Sequence, residues 1–194
     1  ALAVKMRKLW TALAVKEGLN TREFSSAIIV DDILLAATTV TILMGLFRNC
    51  LEILMHYRVT IQLRKCRWLQ NKAEFVGFDV LGDGNAPAES KFPAFKRLVK
   101  PHLYTDLRML IGVFGFYHQF LEWYEERIAR WRGYLKAAPK PGEKIAEEEA
   151  EQLNRQWTEE DNELLEELKA EILIQPVLAR PDINKRFYLK TDWS

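Results

Sequence analysis

Two cysteines in 194 residues are too few for a disulfide framework. Cys50 and Cys66 have no metal-ligand spacing, so they read as reduced thiols of an intracellular chain, cytoplasmic or nuclear. No stretch approaches the ~20 apolar residues that cross a bilayer, which argues against a membrane partner. The opening residues, Ala1 to Arg7, carry no secretory pattern and no initiator Met, so we read the chain as a piece of something longer. Three histidines, His56, His102 and His118, form no nucleophile or metal constellation, and no internal repeat is present. What remains is ordinary globular material. At 48% hydrophobic residues, the chain can bury a core and is not a disordered tail.

The most informative run is Ala27-Ile28-Ile29-Val30-Asp31-Asp32-Ile33-Leu34-Leu35-Ala36. Its two apolar, β-branched-rich halves read as strands, and the paired acids read as the tight end of a hairpin. Side chains alternate faces along a strand, so only a turn lets neighbouring aspartates act near one place. Two acids there are a plausible seat for magnesium, a hard cation that takes oxygen ligands. A solvated polar turn is the plainer alternative.

The net charge of +1 conceals an asymmetry. Residues 1–100 carry an excess of six positive charges, and the rest an excess of five negative ones. That division suits a nucleic-acid surface confined to one region. Ordinary variation in surface charge is the competing account.

Periodicity predicts a helix over Ala1–Lys16, the hairpin, and a second helix over Val40–Tyr57 capped by Thr38 or Thr39. Strands are expected at Val59–Leu63, Arg67–Gln70 and Ala73–Val80, with a basic turn at Arg64–Arg67 and a turn at Gly82–Asn85. Beyond Pro87 come a short helix at Phe92–Val99, a helix at Asp106–Phe116 capped by Thr105, and one at Glu125–Leu135. Ala137–Gly142 is a linker. Glu143–Gln152 is a solvated helix or a partly disordered insertion, and Thr158 caps a helix over Glu159–Ile174. A strand at Arg186–Thr191 closes the chain. The fold class is α+β, with helices on one face of a mainly antiparallel sheet.

Several blocks follow one another at telling intervals. They are Ile29-Val30-Asp31-Asp32-Ile33-Leu34; Leu63-Arg64-Lys65-Cys66; Glu74-Phe75-Val76-Gly77-Phe78; and Asp106-Leu107-Arg108-Met109-Leu110-Ile111-Gly112, followed by Tyr117-His118-Gln119-Phe120. Trp157-Thr158-Glu159-Glu160, Pro176-Val177-Leu178-Ala179 and Phe187 to Asp192 complete the series. In this order they resemble the polymerase region of retroelement reverse transcriptases, most closely those of gypsy-type LTR retrotransposons. The resemblance covers nearly the whole chain.

The resemblance implies a partial palm over residues 1–86, with the Asp-Asp hairpin and a primer-grip-like hairpin. It implies a helical thumb over 87–136. Residues 137–194 would hold the linker, the acidic helix, a connection segment and the first strand of an RNase H-like domain. The implied activity is RNA-directed DNA polymerisation by two-metal phosphoryl transfer, with Asp31 and Asp32 as catalytic, Mg2+-holding acids. Its implied partners are a primer-template, a dNTP and the remainder of a polyprotein. Gly77 and Phe78 would hold the primer terminus; Arg64, Lys65 and Lys72, with Arg67, would meet phosphates. Lys96, Arg97 and Arg108, with Lys100, would line a thumb face towards the minor groove. Asp192 would match the first RNase H ligand and be inert alone.

The departures are informative. Ile29 stands where the family has Tyr, and the first palm aspartate and the fingers fall before Ala1, so the isolated chain is expected to be inactive. The alternative is a domesticated interaction subunit that kept the fold and lost the chemistry inside an assembly of protein partners. The glutamates from Glu147 to Glu151 support that alternative, because they would repel a nucleic-acid backbone. A nucleic-acid binder without catalysis is a third possibility.

Overall fold

The computed structural model describes residues 24–138, 146–179 and 184–186. The helix expected at Ala1–Lys16 and the strand expected up to Thr191 lie outside them. The chain forms two units, Ala1–Val76 and Gly77–Ser194. Their boundary falls inside the segment that sequence assigned to the palm-like part.

In the first unit, β1 (Phe24–Ile29) and β2 (Asp32–Ala37) form an antiparallel ribbon with Phe24 opposite Ala37 and Ile29 opposite Asp32. Helix α1 (Val40–His56) follows directly, and the Thr39 hydroxyl caps it by accepting from the Ile42 N–H at 3.3 Å. Leu46, Cys50, Ile53 and Leu54 of α1 are buried against Phe24, Ile28, Ile33, Leu35 and Ala37 of the ribbon. Alternation explains the set, since these ribbon residues share one face. Burial also pushes the Cys50 thiol up, an effect the nearby Cys66 reinforces, so Cys50 is a poor nucleophile.

Two expected strands are absent. Val59–Leu63 and Arg67–Gln70 are irregular, apart from a single 3-10 turn at Leu63–Lys65. Val59 and Leu63 are exposed, so their alternation with Ile61 buries one side chain rather than a face. Alternation without a neighbouring strand does not make a strand. The run Ala73–Val80 is also broken. β3 (Ala73–Phe75) and β4 (Phe78–Val80) are separated by Val76 and Gly77, both at positive φ.

In the second unit, β4 pairs with β5 (Gly84–Pro87), and β5 pairs with β6 (Leu178–Ala179), all antiparallel. Gly84 is required there, because a Cβ would stand 2.5 Å from the Leu178 carbonyl oxygen. The Gln175 amide donates to Asp79 at 2.9 Å and to the Pro87 carbonyl at 3.2 Å, which fastens the chain before β6 to the sheet.

The helices are α2 (Phe92–Lys96), α3 (Tyr104–Phe116), α4 (Tyr124–Arg127), α5 (Ala129–Lys136), α6 (Ala146–Gln156) and α7 (Glu159–Leu173). Four differ from expectation: the acidic helix α6 runs on to Gln156 and buries Leu153 in the core, so it is neither wholly solvated nor disordered there. α2 stops three residues early. α3 begins before Thr105, since Leu103 is the N-cap and the Asp106 carboxylate accepts from the Leu103 N–H at 3.0 Å. Here an acid inside the first turn does the capping, so the preceding hydroxyl is not needed. The third helix is split by Ile128 into α4 and α5. Tyr104, Leu107, Leu110, Phe114, Ile128, Trp131, Leu153, Leu165, Leu168 and Ile172 form the core of this unit.

One buried acid organises that core. Asp161, in the first turn of α7, accepts from Trp131 Nε1 (2.9 Å), the Tyr134 hydroxyl (2.9 Å) and the Thr158 N–H (2.8 Å). Trp131 stacks on Trp157 at 5.3 Å. Burial, with help from Asp161, pushes Tyr134 up to about 12, and burial does the same for Tyr124. Both phenols therefore keep their protons in the fold after the unfolded chain has lost them. Stability should be constant at neutral pH and fall as pH rises from about 10 towards 12. Urea midpoints measured across that window test this, and Tyr134→Phe should flatten the decline.

Candidate functional site

The ribbon's turn consists of Val30 and Asp31, with Ile29 and Asp32 as the closing pair. Val30 has φ 56° and is 87% exposed. A β-branched residue in the left-handed region costs on the order of 1–3 kcal/mol. This turn has its positive φ at the first central residue, in the manner of a type II′ loop.

Asp31 and Asp32 are both exposed at this tip. Asp32 alternates with Ile33, so it belongs to the ribbon face opposite α1, beside Ile29 and in line with Leu34 and Ala27. Helix α1 covers one face, and Asp32 belongs to the other. Among the described residues neither carboxylate makes a hydrogen bond or ion pair, and no cluster of three or more His, Cys, Asp or Glu could hold a metal ion. Two carboxylates with free lone pairs suit a hard cation in kind, but two alone do not complete a two-metal site.

The remaining candidates fall in both units. Arg64 and Lys65 are exposed on the Leu63–Lys65 turn, and Lys72 is half-buried, all in the unit of the acids. Gly77, Phe78, Lys96, Arg97 and Arg108 are in the other unit. Asp192 lies outside the described residues.

Gly77 and Phe78 are engaged internally. The Gly77 carbonyl accepts from the Tyr117 hydroxyl at 3.0 Å and from the Ala88 N–H at 3.1 Å. The Phe78 ring stacks on Phe116 at 5.0 Å and meets Tyr117 edge-on at 5.5 Å. Lys96 and Arg97 are exposed at the end of α2. Arg108 is exposed on α3, on a stripe with Thr105, Met109, Gly112 and Phe116. That stripe follows helical spacing and lies away from Leu107, Leu110 and Phe114.

Sequence reasoning missed Asp161. As an acid in a first helical turn it looks like an ordinary complement to the helix dipole. Its indole and phenol partners lie 30 and 27 residues earlier, beyond any local pattern.

No protein-family profile matches the chain. It is 29% identical over 165 residues to the retrovirus-related Pol polyprotein from transposon 297 of Drosophila melanogaster, covering 85% of this chain and 14% of that protein. It is 21% identical over the same length to the Tf2-3 polyprotein of Schizosaccharomyces pombe, covering 11% of it. The chain thus spans a small fraction of these relatives. Its fold matches the foamy viral protease-reverse transcriptase dRH in complex with double-stranded DNA, with a TM-score of 0.65 and 21% identity over 81% of this chain and 26% of the viral one. The same viral protein in complex with RNA/DNA hybrid matches with a TM-score of 0.64, 21% identity, and 88% and 21% coverage. In sequence and in fold, the chain is similar to a portion of a retroelement reverse transcriptase.

Proposed function

We propose that this chain is the palm, thumb and connection portion of an RNA-directed DNA polymerase, working within a larger polyprotein on a primer-template and dNTPs inside the cell. The observation that carries the reading is the hairpin tip. The Asp31 and Asp32 carboxylates stand exposed, without a partner among the described residues, on a ribbon whose opposite face packs on α1, in a chain similar to retrotransposon Pol polyproteins. Bound Mg2+ would neutralise charge on the reacting phosphates, and the two acids would hold it in part. The chain's own residues do the rest. The ribbon fixes the spacing of the acids through its Ile29–Asp32 closing pair, and Arg108 on the exposed stripe of α3 offers a cation to a duplex backbone.

Because the described residues supply only two of the acids such a site uses, the isolated chain should bind a primer-template without extending it. Primer extension on an RNA template with Mg2+ and dNTPs tests this, and template-dependent product would overturn it. Binding of the same primer-template should weaken steeply with added salt. A second reading, an interaction subunit without catalysis, draws support from the exposed Glu147, Glu148 and Glu151 of α6. It predicts no primer-template binding at all.

A further inference from the structure

The stretch from Ile53 to Ala73 contains no Asp or Glu, yet it holds Arg58, Arg64, Lys65, Arg67 and Lys72. From Val59 onward it is irregular and largely exposed. Arg58, Arg64, Lys65 and Arg67 are exposed, and their side chains make no ion pair or hydrogen bond among the described residues; Lys72 is half-buried and stays outside the argument. Soluble surfaces usually interleave charges of both signs, so four unpaired cations with no acid between them raise the local positive potential.

Within the same stretch stands a large exposed aromatic. Trp68 is 48% exposed, and its ring meets Phe47 of α1 at 4.9 Å with an interplanar angle of 80°. An edge-to-face contact fixes the indole while leaving at least one of its faces uncovered by Phe47. Leu63 and Leu69 of the same stretch are each 65% exposed, and Leu69, next to the indole in sequence, is held at φ 49°. A β-strand would have turned alternate cations away from the indole. The irregular path, against the alternating pattern, sets cations and ring on one exposed segment.

We propose that Arg58–Trp68 is a contact surface for single-stranded nucleic acid, with Trp68 stacking on a base and Arg58, Arg64, Lys65 and Arg67 following the phosphates. Cations along a backbone with an aromatic platform between them are the combination that holds single strands with little sequence preference. A duplex offers its bases only through the grooves, so the exposed indole face discriminates in favour of an unpaired strand, such as the overhang of a template. The proposal rests on the reading that the chain engages nucleic acid, and it adds which strand and which residues.

The test is fluorescence anisotropy of the full chain with labelled oligothymidylate of about twelve nucleotides, beside a blunt duplex of equal length. Trp68→Ala should weaken oligothymidylate binding about tenfold and leave duplex binding unchanged. Trp68→Phe, which keeps an aromatic face, should stay within about twofold of the parent. Replacing Arg64, Lys65 and Arg67 together by Gln should lower the salt slope for oligothymidylate by about two. Equal oligothymidylate binding by parent and Trp68→Ala overturns the proposal. So does displacement by polyglutamate as effective as by unlabelled oligothymidylate, which assigns the surface to an acidic protein. Duplex binding without oligothymidylate binding sinks this inference alone. Oligothymidylate binding without duplex binding sinks only the primer-template reading.

Discussion

Asp161→Ala should lower the stability of the Gly77–Ser194 unit by about 4 kcal/mol. The carboxylate is 1% exposed and receives Trp131 Nε1, the Tyr134 hydroxyl and the Thr158 N–H. Removing it leaves an indole N–H and a helix N-cap amide without their acceptor. A buried donor stripped of its partner costs about 1–3 kcal/mol, and bonds to a charged acceptor lie at the upper end. Asp161→Asn should lose about half as much, since the amide keeps the shape and one acceptor oxygen but gives up the charge. Glu160→Ala is the control. It removes the ion pair of Glu160 with Arg130, whose side chains are 72% and 48% exposed and screened by solvent, and should leave the urea midpoint unchanged. Urea titration followed by tryptophan emission reads all three, because Trp131 and Trp157 stack beside the acid. A loss below about 1 kcal/mol for Asp161→Ala would show that the helices hold together without this acid.

Gly77→Val should cost about 3 kcal/mol, while Gly112→Ala should add about 0.5–1 kcal/mol. The two glycines differ in what surrounds them. Gly77 has φ +79°, and a Cβ would stand 3.1 Å from the Tyr117 hydroxyl oxygen and 3.2 Å from Phe116. A branched side chain there meets both a forbidden backbone and a filled space. Gly112 lies in the exposed stripe of α3 with nothing within 4 Å of a new Cβ, so alanine improves helix propensity without a clash. The pair also bears on the primer-grip reading of Gly77. If packing is what demands the glycine, Gly77→Ala loses stability and primer-template binding together. If nucleic acid demands it, binding falls at temperatures where the fold is intact.

The hairpin was legible because its signal is local: two β-branched runs, two acids between them, and alternation that puts Ile28 and Ile33 on one face. Helices α1 and α7 were legible for the same reason, their apolar residues recurring at helical spacing over many turns. Val59–Leu63 misled because alternation records which residues are apolar, not whether a neighbouring strand exists to pair with them. Thr105 misled because a hydroxyl before an acid resembles a cap, whereas Asp106 itself accepts the N-cap amide. Asp161 was invisible because its meaning lies in Trp131 and Tyr134, which only folding brings to it. The candidate site divides in the same way. The acids announce themselves by adjacency, but the open platform at Trp68 exists only because a predicted strand fails to form.

The Val30–Asp31 loop has one more consequence. Since Asp32 closes the loop opposite Ile29, the parity of the ribbon decides which side receives the carboxylate. A slip of one position would carry Asp32 beneath α1, into the company of Leu46 and Ile53, and bring Ile33 out to water. The tip therefore behaves as an odd-even lock: an inserted residue that shifts the pairing would take Asp32 off the open face and unpack the core in one stroke.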